Sequence, residues 1–353
     1  MAALIQCVPR LPPVIDGVGD HAFNLATTLR NQRGMETTFV VCDPEWKGPG
    51  HIDRFSIVKL PAPSADALDT LLQSLQGPVL LHYSGYGYDR RGMPFWLCKG
   101  LADHSTRLLT FFHELWSSGF PWQTAFYWHF LQRRVVRRIH RISRVSVTTT
   151  VRMRNILGGS TSLLPVSSNI PPLPRISIPD RTRWRPLVFG QAGGRHTALR
   201  THRRLLHELN DRGILDRVVI AGKDAGPADA AVLGPSFPID LKSDLSVREI
   251  AQEFAKASCH LSGYPAYLAC KSGTFMAALA AGCPVVLAEG HNADPLVAGT
   301  HFFVCDGSKK GVNELMRALN ADAGSEGQRW YDNNADWNLV GSRMGDLIAT
   351  IYG

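Results

Sequence analysis

Short apolar runs alternate with helical stripes in the first part of the chain. Runs rich in β-branched residues indicate strands, and apolar positions three or four apart, as between Asp20 and Arg33, indicate a helix. The predicted strands here are Ala3–Val8, Thr37–Cys42, Pro78–Tyr83, Arg107–Phe112 and Arg144–Thr149. Strands that alternate with helices predict a parallel sheet covered on both faces.

A proline-rich stretch interrupts this rhythm, with six prolines between residues 165 and 186. Proline lacks a backbone donor and fixes φ, so the stretch is expected to be a linker rather than a helix or central strand. The alternation then resumes with predicted strands Leu187–Gly190, Arg217–Ala221, Ser258–Leu261 and Pro284–Ala288. The predicted helices are Thr197–Asp211, Ser246–Ala257, Ser272–Ala281 and Lys310–Leu319. The pattern predicts two α/β domains, residues 1–164 and 187–335.

Composition narrows the class of protein. The 353 residues are 44% hydrophobic and 19% charged, which excludes a largely disordered chain. A net charge of +8 favours anionic partners but is too small to indicate nucleic acid. We expect neither a membrane-spanning helix nor a secretory signal, because apolar runs are short and the start lacks a basic region. Seven scattered cysteines without a C-x-x-C pair predict a reduced, cytoplasmic protein.

A glycine turn follows the first predicted strand and contains Gly19 and Asp20. Glycines let a backbone approach a ligand, and the N-terminus of the next helix attracts an anion. The dinucleotide spacing G-x-G-x-x-G is incomplete, because Ala22 occupies the place of the third glycine. A ligand site and a plain strand-to-helix turn therefore both remain open.

Two further segments lie at predicted strand ends, where doubly wound sheets bind ligands. Tyr86 belongs to a Gly/Tyr loop whose rings suit sugars, or else close the top of the core. His113, followed by Glu114, is a candidate to bond a substrate hydroxyl or phosphate, although a lone histidine is often structural. Ser117 excludes the zinc motif H-E-x-x-H.

The second half offers a candidate phosphate site in two pieces. The loop Phe189–Arg195 is rich in glycine, and Lys271, Ser272 and Thr274 stand at the start of a predicted helix. Backbone N–H groups, hydroxyls and one cation together suit a diphosphate, although an ordinary capped helix has the same appearance. No D-x-D pair is present, so metal-dependent chemistry is disfavoured.

Residues 132–144 predict a helix with one apolar and one basic face. Its arginines are Arg133, Arg134, Arg137, Arg138, Arg141 and Arg144. Such a helix can lie on anionic lipid, or it can simply be a solvated surface. RNA-binding motifs are absent, so nucleic acid is not an expected partner.

These motifs together resemble the bacterial group-one glycosyltransferases of GT-B fold. The resemblance rests on five segments across nearly the whole chain: Pro12–His21, His113-Glu114, Phe189–Arg195, Lys271–Val286 and Ala335–Trp337. It implies two Rossmann-like parallel-sheet domains facing across a cleft. It also implies a nucleotide-diphosphate sugar held mainly by the second domain, an acceptor held by the first, and metal-independent transfer with retention. Residues 336–353 correspond to a final helix that crosses back to the first domain.

The resemblance assigns roles to individual residues. His113 falls on the histidine near the transferred sugar. The donor-binding positions are Gly19, Gln191, Arg195, Lys271, Ser272, Gly273 and Thr274, and the acceptor-binding positions are Asp20, Tyr86 and Glu114. One departure concerns two glutamates that hold the donor in many relatives, because Ala269 and Ala277 stand there in this chain.

The expected activity is therefore transfer of a sugar to a cell-surface glycan or its lipid-linked precursor, in polysaccharide biosynthesis. No cofactor is expected apart from the nucleotide sugar, which is the substrate. The expected location is the cytoplasm, with optional contact at the inner membrane face through the arginines. The alternatives are a GT-B nucleotide-sugar epimerase and a non-catalytic scaffold that binds a nucleotide sugar, because the missing glutamates leave room for another donor or for lost activity.

Overall fold

The computed structural model describes residues 3–14, 16–117, 124–158, 160–174, 183–319 and 323–352. The chain divides into two compact units. Unit 1 comprises Met1–Pro165 and Trp337–Gly353, and unit 2 comprises Val166–Asp336. Each unit has its own parallel sheet and its own apolar core, so the prediction of two α/β domains is confirmed.

The sheet of unit 1 has eight strands in the order β3-β4-β2-β1-β5-β6-β7-β8. Their bounds are β1 (Ala3–Val8), β2 (Glu36–Val41), β3 (His51–Ile52), β4 (Phe55–Lys59), β5 (Val79–Tyr83), β6 (Leu108–Phe112), β7 (Val145–Thr148) and β8 (Ser162–Leu163). All neighbouring pairs are parallel except β3 and β4. The five strands predicted in this region are all present, and the structure adds β3, β4 and β8 at the edges.

Helices cover this sheet: α1 (Gly17–Arg33), α2 (Ala65–Ser74), α3 (Gly85–Tyr88), α4 (Phe95–Gly100), α5 (Thr124–Ile142) and α6 (Val151–Leu157), with a 3₁₀ helix at Ala102–Arg107. Helix α1 shows why the sequence folds in this way. Asp16 caps it by accepting a hydrogen bond from the Val18 N–H at 3.0 Å. Gly34 ends it at φ +60°, a conformation that favours glycine.

The sheet of unit 2 has six parallel strands in the order β11-β10-β9-β12-β13-β14. Their bounds are β9 (Leu187–Phe189), β10 (Val218–Gly222), β11 (Ile239–Ser243), β12 (His260–Leu261), β13 (Val285–Leu287) and β14 (Phe303–Val304). The helices are α7 (Ala192–Thr201), α8 (Arg203–Asp211), α9 (Pro227–Ala231), α10 (Val247–Lys256), α11 (Gly273–Ala280), α12 (Lys309–Ala318) and α13 (Ser325–Asn334), with a 3₁₀ helix at Ala266–Lys271.

The helix predicted over 197–211 is two helices in the structure. The break falls at His202, which has non-helical backbone angles (φ −95°, ψ 10°). His202 is buried, and its Nε2 donates to the Ser262 carbonyl at 2.9 Å. Turning the chain at His202 lets α7 and α8 both pack on the sheet.

Apart from Pro165, which ends the first segment of unit 1, the predicted linker 165–186 is part of unit 2 wherever the structure describes it. The Val166 N–H donates to the Cys270 carbonyl at 3.1 Å, and the Ser168 N–H donates to the Tyr331 hydroxyl at 3.2 Å. Residues 175–182 lie outside the described part of the chain. The unit boundary therefore falls directly after Pro165.

The last helix, α14 (Trp337–Tyr352), belongs to unit 1. Its buried residues Val340, Met344 and Ile348 join Leu25 and Leu29 of α1 in one apolar cluster. Arg33 and Asp346 add an ion pair at 2.6 Å between the same two helices. The chain thus starts and ends in the same core.

Candidate functional site

Each sheet has a position where the strand order reverses direction. In unit 1, β1 lies between β2 and β5, and in unit 2, β9 lies between β10 and β12. Connections leave such neighbouring strands toward opposite faces and open a crevice at the strands' carboxyl ends. The candidate residues follow these strands, except that His113 and Glu114 follow β6 beside β5. The topology therefore positions both groups at the edges where doubly wound sheets bind ligands.

In unit 2, two glycines bring the ends of β9 and β10 together. Gly190 and Gly222 have φ values of +143° and +145°, which favour glycine. A Cβ at position 222 would lie 2.2 Å from the Gly190 carbonyl oxygen, so only glycine fits this approach. A Cβ at Gly190 would lie 3.7 Å from Thr274 Cγ2. The glycine loop and the start of α11 are therefore neighbours.

The N-terminus of α11 is built by two hydroxyls. Ser272 is buried, and its Oγ accepts a hydrogen bond from the Phe275 N–H at 3.2 Å. The Ser272 and Thr274 hydroxyls lie 3.0 Å apart and bond to each other. Lys271 precedes Ser272, Gly273 lies between the two hydroxyl residues, and both Lys271 and Gly273 are half-buried. A capped helix start with half-buried small residues presents backbone N–H groups and a positive dipole to an anion.

Arg195 differs from the sequence-based expectation that it contacts the donor. Its side chain is only 1% exposed, and all five guanidinium N–H groups have acceptors within the protein. Nε and Nη2 bond both oxygens of Asp229, at 3.0 and 2.9 Å. The remaining bonds go to the carbonyl oxygens of Gly190, Lys223 and Asp224. Arg195 therefore holds the loops after β9 and β10 in place, and it has no N–H group left for a ligand.

Asp229 completes this buried pair from α9. Burial alone would raise the pKa of its carboxyl group, but the Arg195 guanidinium and the Gly226 N–H lower it below its usual value. His196 Nε2 lies 3.2 Å from the same carboxylate. Gln191, the residue before α7, is exposed and makes no capping bond to the helix through its side chain.

Gly19 in unit 1 also has an internal reason for being glycine. A Cβ there would lie 2.2 Å from the Arg10 carbonyl oxygen, and Gly19 is buried. Close packing against the protein's own backbone is therefore sufficient to require a glycine at this position. The plain strand-to-helix turn, one of the two original interpretations, explains this glycine.

His113 stands directly after β6 and is 7% exposed. Its Nε2 lies 3.1 Å from His82 Nδ1, and His82 Nε2 lies 2.7 Å from Gln6 Oε1. The His113 ring stacks on Phe111 with the ring centroids 4.5 Å apart. The candidate catalytic side chain is thus held by a buried polar chain that runs back into the sheet.

His21 from α1 packs against this group. Its ring centroid lies 5.1 Å from those of His113, Phe111 and Trp337. Neither ring nitrogen of His21 has a hydrogen-bond partner among the described residues, and burial lowers its pKa to about 3. His21 is therefore neutral at physiological pH and acts as a flat packing surface.

Three carboxyl groups lie near the same end of the unit 1 sheet. Burial, together with the charge of Asp16, raises the pKa of Asp20 to about 6. Burial also raises the pKa of Asp16, and Glu114 contributes to that increase. Glu114 accepts a hydrogen bond from the Ser84 hydroxyl at 3.3 Å. The crevice of unit 1 is therefore acidic, with one carboxyl that titrates close to neutral pH.

Tyr86 has a fixed hydroxyl and an accessible ring. Its hydroxyl donates to Ser117 Oγ at 3.1 Å and accepts from Gln132 Nε2 at 3.0 Å, while 46% of the residue is exposed. Gln132 on α5 is buried and also binds the Ser117 backbone N–H at 2.9 Å. A rigid exposed ring of this kind suits stacking on a sugar.

Helix α5 buries its apolar face and exposes its arginines. Val135, Val136 and Ile139 are fully buried in the core of unit 1. The exposed arginines on this helix are Arg134, Arg137, Arg138 and Arg141. A surface groove of about 780 Å³ is lined by these side chains together with Arg133, Phe130 and Ile142. Arg144 lies beyond the helix end and donates to the Thr350 carbonyl at 3.1 Å.

Three further observations concern possible metal ligands, membrane spans and the positions of the missing glutamates. No three His, Cys, Asp or Glu side chains in the described ranges form a group that could hold a metal ion. Within those ranges, no helix combines the length and apolar character needed to cross a bilayer. At the positions of the missing glutamates, Ala269 and Ala277 are 0% and 2% exposed and pack in the apolar core.

Two parallel-sheet units with crevices at their strand ends place the chain in the GT-B fold class, as the resemblance implied. No protein-family model and no curated protein matches the sequence. Among solved structures, the chain is similar to WaaG, a glycosyltransferase involved in lipopolysaccharide biosynthesis. They share 17% identity over 98% of this chain and 99% of that chain, with a TM-score of 0.56.

Two other solved structures are similar over almost their whole length. An alpha-glucosyltransferase in complex with UDP and DNA has 12% identity, covers 99% of this chain and 100% of that chain, and gives a TM-score of 0.60. A putative UDP-N-acetylglucosamine 2-epimerase from Listeria monocytogenes has 11% identity, covers 98% of this chain and 95% of that chain, and gives a TM-score of 0.59. At such identities the likeness establishes the fold and not the reaction.

Sequence reasoning missed the partners of His113. Gln6 and His82 are polar residues within strands that are otherwise almost entirely apolar. A polar side chain in a strand covered on both faces must find a buried partner. That signal was present in the sequence and could have paired the two residues.

Proposed function

We propose that this protein is a glycosyltransferase that moves a sugar from a nucleotide-diphosphate donor to a glycan or lipid-linked acceptor. The observation that carries the proposal is in unit 2, where the Gly190 loop and the N-terminus of α11 meet at the point where the strand order reverses. The similarity in fold to WaaG and to an alpha-glucosyltransferase that binds UDP supports it.

In this proposal, unit 2 binds the donor diphosphate. The backbone at Gly273 and Thr274 faces the phosphates, Ser272 shapes the helix start, and Lys271 supplies the cation. Gln191 at the start of α7 reaches the donor from the glycine loop. As the sugar bond breaks, negative charge grows on the diphosphate, and preorganised N–H groups stabilise that charge.

Unit 1 binds the acceptor and acts on the transferred sugar. His113 contacts the sugar, while Asp20, Glu114 and Tyr86 bind acceptor hydroxyls. Carboxylates accept hydrogen bonds from hydroxyl groups, and the exposed Tyr86 ring offers an apolar face for a sugar ring. The acidic crevice and the exposed ring therefore suit a neutral glycan.

Calorimetry with UDP, GDP and ADP tests the donor site. Lys271→Met should weaken binding of the preferred nucleotide by about 1.5–3 kcal/mol, the range for a hydrogen bond to a charged group. Lys256→Met, at an exposed position near the end of α10, is the matched control and should leave affinity unchanged. Equal affinities in wild type and Lys271→Met would remove Lys271 from the site.

The epimerase remains a second candidate because one similar structure is a putative epimerase. The two reactions differ in their need for an acceptor. A transferase releases nucleotide diphosphate in proportion to acceptor, whereas an epimerase converts the nucleotide sugar alone. A scaffold would bind the nucleotide sugar and leave it intact. Chromatography of UDP-, GDP- and ADP-sugars with and without a lipid-linked glycan separates the three.

We further propose that α5 attaches the protein to the inner face of an anionic membrane, where a lipid-linked acceptor would be presented. Four exposed arginines on one helix supply the charge. Exposed Tyr127 and Phe130 on the same helix add apolar contact at the level of the lipid headgroups.

A further inference from the structure

The strongest unexplained feature outside the phosphate site is a buried chain of polar groups behind His113. It links Thr37 on β2, Gln6 on β1, His82 on β5 and His113 after β6. Gln6 and His82 are both 0% exposed. Burying polar groups in a sheet core costs free energy unless each of them is hydrogen-bonded. Every donor in the chain must therefore face an acceptor, which fixes the direction of each hydrogen bond.

The direction follows from the glutamine. Gln6 Nε2 donates to Thr37 Oγ1 at 3.4 Å, so its amide oxygen faces His82 Nε2 at 2.7 Å. An amide oxygen only accepts, which requires a proton on His82 Nε2. Burial lowers the pKa of His82 well below its ordinary value, so the ring is neutral and its Nδ1 is an acceptor. His113 Nε2, 3.1 Å away, must then be the donor.

We propose that Gln6 and His82 are positioning residues that keep a proton on Nε2 of His113, and so fix the orientation and the protonation pattern of the ring that meets the transferred sugar. This inference rests on the proposed function, in which His113 contacts the transferred sugar. A histidine with one nitrogen committed to an internal acceptor presents its other nitrogen in a single protonation pattern.

The packing around the ring supports a fixed orientation. Phe111 stacks on one side with an interplanar angle of 27°, and His21 meets the ring edge-on at 78°. His82 is itself nearly parallel to His113, at 24°. The ring is therefore enclosed by aromatic neighbours. The hydrogen bond to His82 selects one of the two ring orientations that a half-turn flip of the ring would interchange.

The tautomer can be measured without any substrate. Long-range ¹⁵N–¹H NMR of protein labelled at histidine, with His113→Gln used to assign the signal, should show the wild-type proton on Nε2. Gln6→Glu should reverse this, because the carboxylate draws a second proton onto His82 and turns its Nδ1 into a donor. A wild-type proton on Nδ1 would overturn the inference.

If Gln6→Glu does not fold, two variants at His82 test the same inference. His82→Asn keeps an acceptor oxygen near the position of Nδ1, so the proton should stay on His113 Nε2. His82→Leu removes the acceptor, and both tautomers should then appear. Leu80→Ala on the same strand is also fully buried, and it is the control for lost stability without a change in the polar chain.

Turnover of UDP-glucose and GDP-mannose links the chain to catalysis. His82→Leu should lower kcat on the order of 10²-fold, as expected for a misplaced catalytic group, while His82→Asn stays close to wild type. Unchanged kcat and an unchanged tautomer in His82→Leu would overturn the positioning role. If no form of the protein turns over any sugar nucleotide, the proposed function fails, and the NMR result still decides the protonation pattern.

Discussion

Arg195 shows how a buried side chain can carry a different role from the one its motif indicates. In Arg195→Ala, the Asp229 carboxylate would be left buried and without its bidentate partner. Breaking a buried ion pair in this way costs about 3–5 kcal/mol. We therefore expect Arg195→Ala to lower the free energy of unfolding of unit 2 by that amount in urea denaturation.

The control for this prediction is Arg200→Ala on the exposed side of the same helix, which should change stability by no more than about 0.5 kcal/mol. Nucleotide affinity in Arg195→Ala should fall only because the glycine loop loosens. An Arg195→Ala variant as stable as wild type, with weakened UDP binding alone, would return Arg195 to the role of a direct ligand.

Asp20 makes the stability of the protein depend on pH. Its pKa of about 6 in the folded protein exceeds the value of about 3.9 in an unfolded chain. The folded state therefore binds the proton more tightly, and stability falls as pH rises from about 4 to about 6. Asp20→Asn should be more stable than wild type by about 1 kcal/mol at pH 7, a value reduced for partial exposure.

Thermal unfolding of wild type and Asp20→Asn at pH 4 and pH 7 checks the sign. The difference between them should become small at pH 4, because Asp20 in the folded protein is then protonated and as neutral as asparagine. Asp66→Asn, in the first turn of α2 and exposed, should give no such gain at pH 7. A constant difference at both pH values would show that Asp20 does not titrate in this range.

At the residue scale, sequence reasoning located the loops but not the partners within them. The positions of Ser272, Thr274 and His113 at strand or helix ends follow from local patterns. The partners of Arg195 do not, because the Asp229 carboxylate and the Lys223 carbonyl lie 34 and 28 residues further along the chain. A motif specifies which residue types are present, and tertiary contacts decide whether their donors point inward or toward a ligand.

At the scale of elements, long apolar patterns were predictable and short edge elements were not. Strand β1 has the predicted bounds, because five consecutive buried residues leave one interpretation. Strands β3 and β8 have two residues each, too few for any periodicity. The single predicted helix over α7 and α8 failed because the break at His202 depends on a bond to Ser262.

Helix α5 carries the prediction that belongs to this scale. Replacing Arg134, Arg137, Arg138 and Arg141 by glutamine should remove most binding to anionic vesicles, since each arginine near the surface contributes about 1 kcal/mol. Wild-type binding should weaken strongly at 1 M salt, where the electrostatic screening length shortens to about 3 Å. Phe130 and Tyr127, 60% and 64% exposed, should leave a weak component that salt does not remove.

Vesicle co-sedimentation with neutral and anionic lipid measures this binding. The control replaces Arg200 and Arg203 by glutamine, which removes exposed charge from unit 2 and should leave binding intact. Phe130→Ser should reduce only the component that persists at high salt. Equal sedimentation with neutral and anionic vesicles, or none with either, would leave the arginines as a solvated surface.

At the scale of the whole molecule, the chain leaves unit 1 at Pro165 and returns to it at Trp337. The core of unit 1 is therefore completed by residues more than 300 positions away from α1 in sequence. Met344 is fully buried beside Leu25 and Leu29, so Met344→Ala should cost unit 1 about 2–5 kcal/mol. Phe275→Ala, fully buried in the core of unit 2, should cost unit 2 about 3–5 kcal/mol.

Hydrogen exchange followed by peptide mass spectrometry distinguishes the two variants. Met344→Ala should speed exchange in β1, α1 and α14 and leave β9, β10 and β13 at wild-type rates, although position 344 is closer in sequence to unit 2. Phe275→Ala should give the opposite pattern. This outcome is expected because protection follows the cooperative unit that a backbone amide belongs to, not its place along the chain. Faster exchange in β9 and β13 in Met344→Ala would mean that α14 stabilises unit 2 instead.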